Sequence, residues 1–414
     1  MDDAGFDPHC GGIGLKHSKL RARHHQESAM DAPIRPFKVE LNNEAIDDLK
    51  RRLRHTRFPD EETVGDWSQG IPLSYVRELT DYWRDDYDPN RIAEHLNRWP
   101  NFVTALDDID IHFIHQRSPH SQATPLIMTH GWPGSVLEFR HVIDRLTNPA
   151  AHGGRPEDAF HVVVPSLPGY GFSGKPRQPG TNIAKIADMW IQLMERLGYP
   201  RFLAHGGDWG AVVTQGIALA DNTPCQGIHV TLPIITPDPE TLDRLLPEEI
   251  RAMESFDFYE RMDSGYSKQQ STRPQTLGYG LADSPAGQLA WIVEKYAQWC
   301  DCEQNGVRHP ENAVTKDELI DTVMMYWMTN SAASSARLYW ESFNTPDLSP
   351  IHIPTGISMF PNEIFRTSQR WAEKRFSRLT YFNDSIEKGG HFAALEVPST
   401  LCEELWNWKQ TLKN

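Results

Sequence analysis

The stretch His205-Gly206-Gly207-Asp208-Trp209-Gly210 constrains this chain more than any other. It follows the short apolar run Arg201-Phe202-Leu203-Ala204 and opens an amphipathic stretch beginning Ala211-Val212-Val213. Strand, glycine-flanked polar residue and helix, in that order, make an elbow that pushes one side chain out at the strand's end. The small residues let strand and helix pack closely, while the central residue takes a strained backbone conformation. That residue is a carboxylate, Asp208, which either caps the helix or attacks a substrate.

An elbow needs a sheet behind it. Apolar, β-branched runs at 102–105, 109–115, 125–129, 161–165, 201–204 and 227–232 read as strands. Helical patterns lie between them, such as Ile183, Ile186, Ala187, Trp190, Met194 and Leu197. Two more strand runs, 356–360 and 379–382, come late, with a helix near 369–375 between them and a closing helix over 398–412. The pattern predicts an α/β fold: a mostly parallel eight-stranded sheet with helices on both faces. The first two strands are close enough for a hairpin, which makes that edge antiparallel.

Two segments stand outside the alternation. From Ile34, the residues Leu41, Ile46, Leu49 and Leu53 recur at helical spacing, with Asn42 or Asn43 as a cap, until Arg57-Phe58-Pro59. Helical stretches at 72–83 and 89–96 follow, so residues 34–100 read as an N-terminal helical domain packed on the core. Residues 236–350 lose the strand signal and carry helical patterns at 288–299, 316–328 and 332–343. They read as a helical lid inserted into a core of residues 101–235 and 351–414, over the edge where such sheets bind ligands. Trp291, Trp299, Tyr326, Trp327 and Trp340 suggest an apolar pocket there, though most read as core at helical spacing.

Composition excludes several classes. A net charge of −15 is opposite to the footprint of a nucleic-acid binder. No apolar run approaches the roughly 18 residues of a membrane span. Residues 1–33 carry His, Arg and Lys without a signal peptide's apolar stretch, and read as a disordered extension with no membrane anchor. The 5 cysteines form no disulfide framework, and Cys300 and Cys302 lack the spacing of a zinc site. A cytoplasmic protein with reduced thiols is expected.

Three further signals agree with the elbow. His130-Gly131-Trp132-Pro133-Gly134 follows the 125–129 strand and can aim backbone N–H groups at the elbow; with the amide of Trp209, that of Trp132 forms an oxyanion hole. Gly389-Gly390-His391-Phe392 places a histidine after the last strand. Phe360-Pro361-Asn362-Glu363 places an acid after the strand before it. Alone, each is weak: a histidine among 18 is more often a surface or core residue, and such a turn is commonly a helix start capped by its Asp. Together they stand in the order nucleophile, acid, histidine of the α/β-hydrolases, as Asp208, Glu363 and His391.

From about Pro36 to the C-terminus, the chain resembles the microsomal-type epoxide hydrolases. The resemblance rests on Lys38-Val39-Glu40 to Arg57-Phe58-Pro59, on His130 to Ser135, on Gly207-Asp208-Trp209-Gly210 and on Gly389 to Ala394. It implies an α/β-hydrolase fold and an epoxide hydrolase, an ether-bond hydrolase that needs no cofactor or metal. Its only implied partner is a small-molecule epoxide, and it is compatible with a homodimer. Glu363 falls at the family's charge-relay acid. Tyr266, in Ser264-Gly265-Tyr266, and Tyr339, in Ala336-Arg337-Leu338-Tyr339, fall at the two tyrosines that donate to the epoxide oxygen. With Trp132 they would bind the substrate. The implied product is a vicinal diol, formed through a covalent Asp208 ester.

Other readings fit less of the site. A serine hydrolase needs Ser at the elbow, and Ser135 lies outside it and reads as a helix cap. A haloalkane dehalogenase also uses an Asp nucleophile, but needs halide-binding N–H donors in place of two phenols. A different α/β-hydrolase of natural-product biosynthesis shares the core motifs. A non-catalytic ligand-binding protein predicts the loss of a triad member, and none is lost.

Overall fold

The computed structural model describes residues 32–412. The expected extension 1–33 therefore lies outside the described residues except for its last two.

The main sheet has 9 strands. They are β1 (Arg35–Phe37), β2 (Asn101–Leu106), β3 (Ile109–Gln116), β4 (Thr124–Thr129), β5 (Phe160–Pro165), β6 (Phe202–Gly206), β7 (Cys225–Val230), β10 (Thr355–Ser358) and β11 (Leu379–Asn383). A separate ribbon pairs β8 (Glu303–Gln304) with β9 (Val307–Arg308). The spatial order is β1-β2-β3-β5-β4-β6-β7-β10-β11, antiparallel as far as β5 and parallel from there on. Eight of these are the expected strands. The ninth, β1, is only 3 residues long with Pro36 at its centre, which an edge strand tolerates and a sequence pattern hides. The expected hairpin joins β2 to β3 through Asp107 and Asp108, both at positive φ (47° and 61°), as a two-residue turn requires.

The central strands are sealed on both faces. Leu126, Ile127 and Met128 of β4, and Val162, Val163 and Val164 of β5, are wholly buried. This is why these strands read as continuous apolar runs rather than as alternation. Five histidines are buried in the same layer: His112, His115, His130, His205 and His229. Those of β6 and β7 face each other, with Nδ1 of His205 3.0 Å from Nδ1 of His229. His229 Nε2 lies 3.0 Å from Ser358 Oγ, which donates to Glu404. His112 sits between Ser166 and Asn101, 2.9 Å from each. Burial pushes His112 down to about 3 and His115, His130 and His205 to about 4, and holds His229 well below its usual range.

Three helices precede the core: α1 (Asn43–Arg54), α2 (Leu73–Asp85) and α3 (Arg91–Leu96). Asn42 caps α1, its Oδ1 accepting from the Glu44 amide at 2.8 Å. Helices α4 (Ile143–Thr147), α5 (Ile183–Arg196) and α6 (Asp208–Leu219) belong to the sheet's crossovers. Between β7 and β10 stand α7 (Pro247–Phe258), a π-turn (Tyr259–Asp263), α8 (Gly265–Thr272), α9 (Pro274–Asp283), α10 (Pro285–Trp299), α11 (Lys316–Met328) and α12 (Ala332–Ser342). The chain closes with α13 (Gln369–Arg375), α14 (Ala393–Glu396) and α15 (Pro398–Thr411). The front helices clip onto the insertion: Tyr82 donates to Asp317 and Tyr87 to the fully buried Asp321, each at 2.6 Å.

Of the insertion, α10, α11 and α12 stand where their apolar spacing put them. Helices α7, α8 and α9 had no such stripe. On α7 the large apolar residues Ile250, Met253, Phe256 and Phe258 stay exposed, so apolar positions run round the helix instead of along one face.

Candidate active site

Asp208 opens α6 directly from the end of β6, with Gly207 in extended conformation before it. Its φ of 47° is left-handed, a conformation that costs a non-glycine residue about 1–2 kcal/mol. Close approach dictates the neighbouring glycine: a Cβ on Gly210 would lie 1.8 Å from the Thr129 carbonyl oxygen. The β4 loop comes equally near, since a Cβ on Gly131 would lie 2.0 Å from Asp208 Oδ1. At that separation the Trp132 amide donates to Asp208 Oδ1 at 2.7 Å. Trp209 is the second residue of α6, where a backbone N–H has no partner inside the helix. Ser135, by contrast, caps the turn Val136–His141, accepting from the Leu137 amide at 3.2 Å.

The expected acid and base meet Asp208 from the other side. Nε2 of His391 lies 3.3 Å from Asp208 Oδ2, and its Nδ1 lies 2.6 Å from Glu363 Oε1. Glu363 Oε1 also accepts from the Ile364 amide at 2.7 Å. A single parallel bridge between Asn362 and Gly390 sets the two loops side by side, and the Trp299 carbonyl accepts the His391 amide at 3.0 Å. All three side chains are largely buried. Burial opposes a charge on His391, but Glu363 and then Asp208 outweigh it and hold its pKa well above the usual histidine value. The two acidic side chains thus favour the charged form of His391.

Tyr266 on α8 and Tyr339 on α12 hang over Asp208 from the insertion, their rings 5.9 Å apart. Trp132 stacks on Tyr266 at 5.0 Å, and Trp209 meets Tyr339 edge-on at 4.8 Å. Burial raises both phenols well above their ordinary pKa. The buried Tyr339 hydroxyl has no hydrogen-bond partner. All seven residues singled out in the sequence thus lie together.

A cavity of about 470 Å³ opens from Asp208, Tyr266 and Tyr339. Its floor is one face of α6: Asp208, Trp209, Val212, Gln215, Gly216 and Leu219. Twelve residues of helix at 1.5 Å each make that floor about 18 Å long. Phe256, Tyr259, Phe343 and Phe365 form apolar walls. None of the five aromatics noted in the sequence lines this cavity: Trp299 packs on His391 at 5.0 Å, and Trp340 borders a separate cleft with Arg337 and Glu341. Helical spacing finds the buried face of a helix, but not which buried face adjoins a void.

Two groups near the triad were not found in the sequence. Glu138, partly buried, places its carboxyl beside Gly134, where a Cβ would lie 2.3 Å from Oε2. Burial pushes it up to about 8, with Asp208 adding to the rise and His391 opposing it. A Glu in a helical turn carries no signal that separates it from a surface residue. Lys295, on α10, is buried beneath Tyr266; it stands at helical spacing from the buried Ile292 and Trp299, but a lysine there carries no sequence signal of burial.

Similarity to known proteins agrees with this geometry. Residues 34–139 match the epoxide hydrolase N-terminus family, and residues 124–256 match the alpha/beta hydrolase fold family. The chain is 50% identical over 373 residues to a Stigmatella aurantiaca protein named provisionally as an epoxide hydrolase, covering 90% of this chain and 84% of that one. It is 34% identical over 407 residues to epoxide hydrolase 1 of Sus scrofa, covering 91% and 89%. The solved structure of Aspergillus niger epoxide hydrolase superposes with a TM-score of 0.83 at 30% identity, over 93% of this chain and 98% of that one. Identity at this level, carried through nearly the whole length on both sides, reaches well past a shared fold: the chain belongs to the epoxide hydrolases, and is an enzyme of that family.

Proposed function

We propose that the enzyme opens an epoxide through a covalent ester on Asp208, with the insertion (residues 236–350) acting as a lid that carries the acid groups. An epoxide carbon is an sp3 electrophile, so the Asp208 carboxylate displaces the ring oxygen directly and needs no base of its own. The departing oxygen takes its proton from a lid phenol, Tyr266 or Tyr339. The observation that carries this reading is the buried, unpartnered hydroxyl of Tyr339 beside a carboxylate nucleophile. A donor without an acceptor in a buried site is costly unless the substrate supplies one.

The charge pattern around His391 explains how one residue waits and then acts. Esterification removes the negative charge of Asp208, one of the two anions that keep His391 protonated. The imidazolium then gives its proton to the phenolate left by ring opening, and neutral His391 becomes a base. It takes a proton from water, which attacks the ester carbonyl. Glu363 holds the ring, and the amides of Trp132 and Trp209 stabilise the oxyanion. Collapse releases the vicinal diol. The alkoxide takes the new carboxylic proton, returning Asp208 as a carboxylate beside a charged His391.

The 18 Å apolar floor suits an extended, largely apolar epoxide. The mechanism is tested by a single turnover in oxygen-18 water. An ester pathway delivers an unlabelled diol and leaves the label on Asp208, whereas a labelled diol from the first turnover refutes it.

A further inference from the structure

The two lid phenols are not equivalent, and the difference lies behind Tyr266. Its ring has Trp132 stacked on it, with centroids 5.0 Å apart and planes 11° from parallel. The ammonium of Lys295 lies 4.8 Å from the centroid of the same ring. Lys295 is 5% exposed, so this charge acts where water does not screen it. It is held there by Asp263 Oδ1 at 2.6 Å and Glu294 Oε2 at 2.8 Å. Asp263 is fixed in turn by the Trp299 indole N–H, which donates to its Oδ2 at 2.7 Å. Tyr339 has no such neighbour. Its close rings are Trp209, Phe343, Tyr266 and, edge-on, Trp132, and no cation lies over it among the described residues.

We propose that Lys295 is a positioning residue that makes Tyr266 the proton donor of the pair, leaving Tyr339 to hold the epoxide oxygen by hydrogen bonding. The inference rests on the ring-opening reading above. As the Asp208 oxygen bonds to the epoxide carbon, the carbon–oxygen bond of the ring breaks and its oxygen takes the proton of the Tyr266 hydroxyl. Negative charge then spreads into the Tyr266 ring, and an ammonium near that ring stabilises it more than the neutral phenol. The ammonium already attracts the neutral ring face, so only its added attraction for the developing phenolate favours Tyr266 over Tyr339, an advantage of roughly 30-fold in rate. Asp263 and Glu294 supply the counter-charge that lets the ammonium stay buried.

The test separates the two half-reactions with styrene oxide as probe, using rapid quenching and intact-protein mass. Lys295→Met should slow formation of the Asp208 ester about 30-fold and leave its hydrolysis within about 2-fold. Lys295→Arg, which keeps the cation, should restore most of the alkylation rate. In a Tyr266→Phe background, Lys295→Met should add no further loss, because the charge has no phenol to act on. Equal losses in both half-reactions, or an unchanged loss in the Tyr266→Phe background, would overturn the proposal. If Lys295→Met alone does not fold, Lys295→Met with Asp263→Asn removes the whole ion pair and answers the same question. If wild-type enzyme forms no ester, the covalent mechanism itself has failed, which is a different outcome from a Lys295 effect without dependence on Tyr266.

Discussion

Replacing Glu363 by Gln isolates the role of one charge. Glu363 Oε1 accepts from both the Ile364 amide at 2.7 Å and His391 Nδ1 at 2.6 Å, and Oε2 has no partner. A Gln fits with its carbonyl at Oε1 and its NH₂ group at the empty position, so the geometry survives and only the charge is lost. Opposite charges about 4 Å apart at an effective dielectric near 20 attract by about 4 kcal/mol. Losing that support for the imidazolium formed during water attack slows ester hydrolysis by roughly 10³. Alkylation uses Asp208 and the phenols, so it should fall less than about 10-fold. Rapid-quench mass spectrometry should then show nearly all enzyme as ester at steady state. If alkylation falls as far as hydrolysis, or no ester accumulates, the charge on Glu363 does not serve the second step and the reasoning fails.

Other variants probe the rest of the site. Tyr339→Phe should cut alkylation by about 10² to 10³, the usual loss of a transition-state donor. The same change should raise stability in urea by about 1 kcal/mol, because it deletes a buried hydroxyl without a partner; a stability loss would mean the hydroxyl is satisfied. Glu138→Gln should stabilise the protein at alkaline pH. The folded carboxyl titrates near 8, above its ordinary 4.5, so stability present at low pH is lost as pH rises through 8. The variant's advantage should grow between pH 5 and 9 to at most about 5 kcal/mol, less what solvent contact screens; melting temperatures that differ equally at both pH values would count against it. Gly210→Ala should abolish activity and destabilise strongly, since its Cβ falls 1.8 Å from a backbone oxygen. A folded, active Gly210→Ala enzyme would show that the elbow can relax.

The elbow and triad were legible because their chemistry depends on glycine. Gly206, Gly210, Gly131 and Gly389 stand where an added Cβ would clash or the chain turns through positive φ, and a residue type demanded by sterics is visible without the structure. The parallel strands were legible for a related reason: strands sealed on both faces must be apolar throughout. What escaped lacked such a demand. Strand β1 is too short to carry a pattern, and α7 exposes the apolar residues whose periodicity should have marked it. The cavity wall is made by Phe256, Tyr259, Phe343 and Phe365, drawn from three separate segments, and no local spacing encodes the convergence of those segments. Glu138 and Lys295 act through what lies beside them, which only three dimensions supply.

The buried histidines of the sheet set a working limit for this enzyme that its active site does not. His112, His115, His130, His205 and His229 all stay neutral when folded and titrate near 6.5 when unfolded. Depressed folded values mean that stability present above pH 6.5 is lost as the pH falls toward 4. Each group contributes about 1.4 kcal/mol per pH unit in that window, and His205 and His229, which share a hydrogen bond, titrate as a pair. A typical domain has only about 5–15 kcal/mol to lose. The interior of the sheet, rather than the active site, therefore makes the fold acid-sensitive, while Glu138 is the group that works against it on the alkaline side.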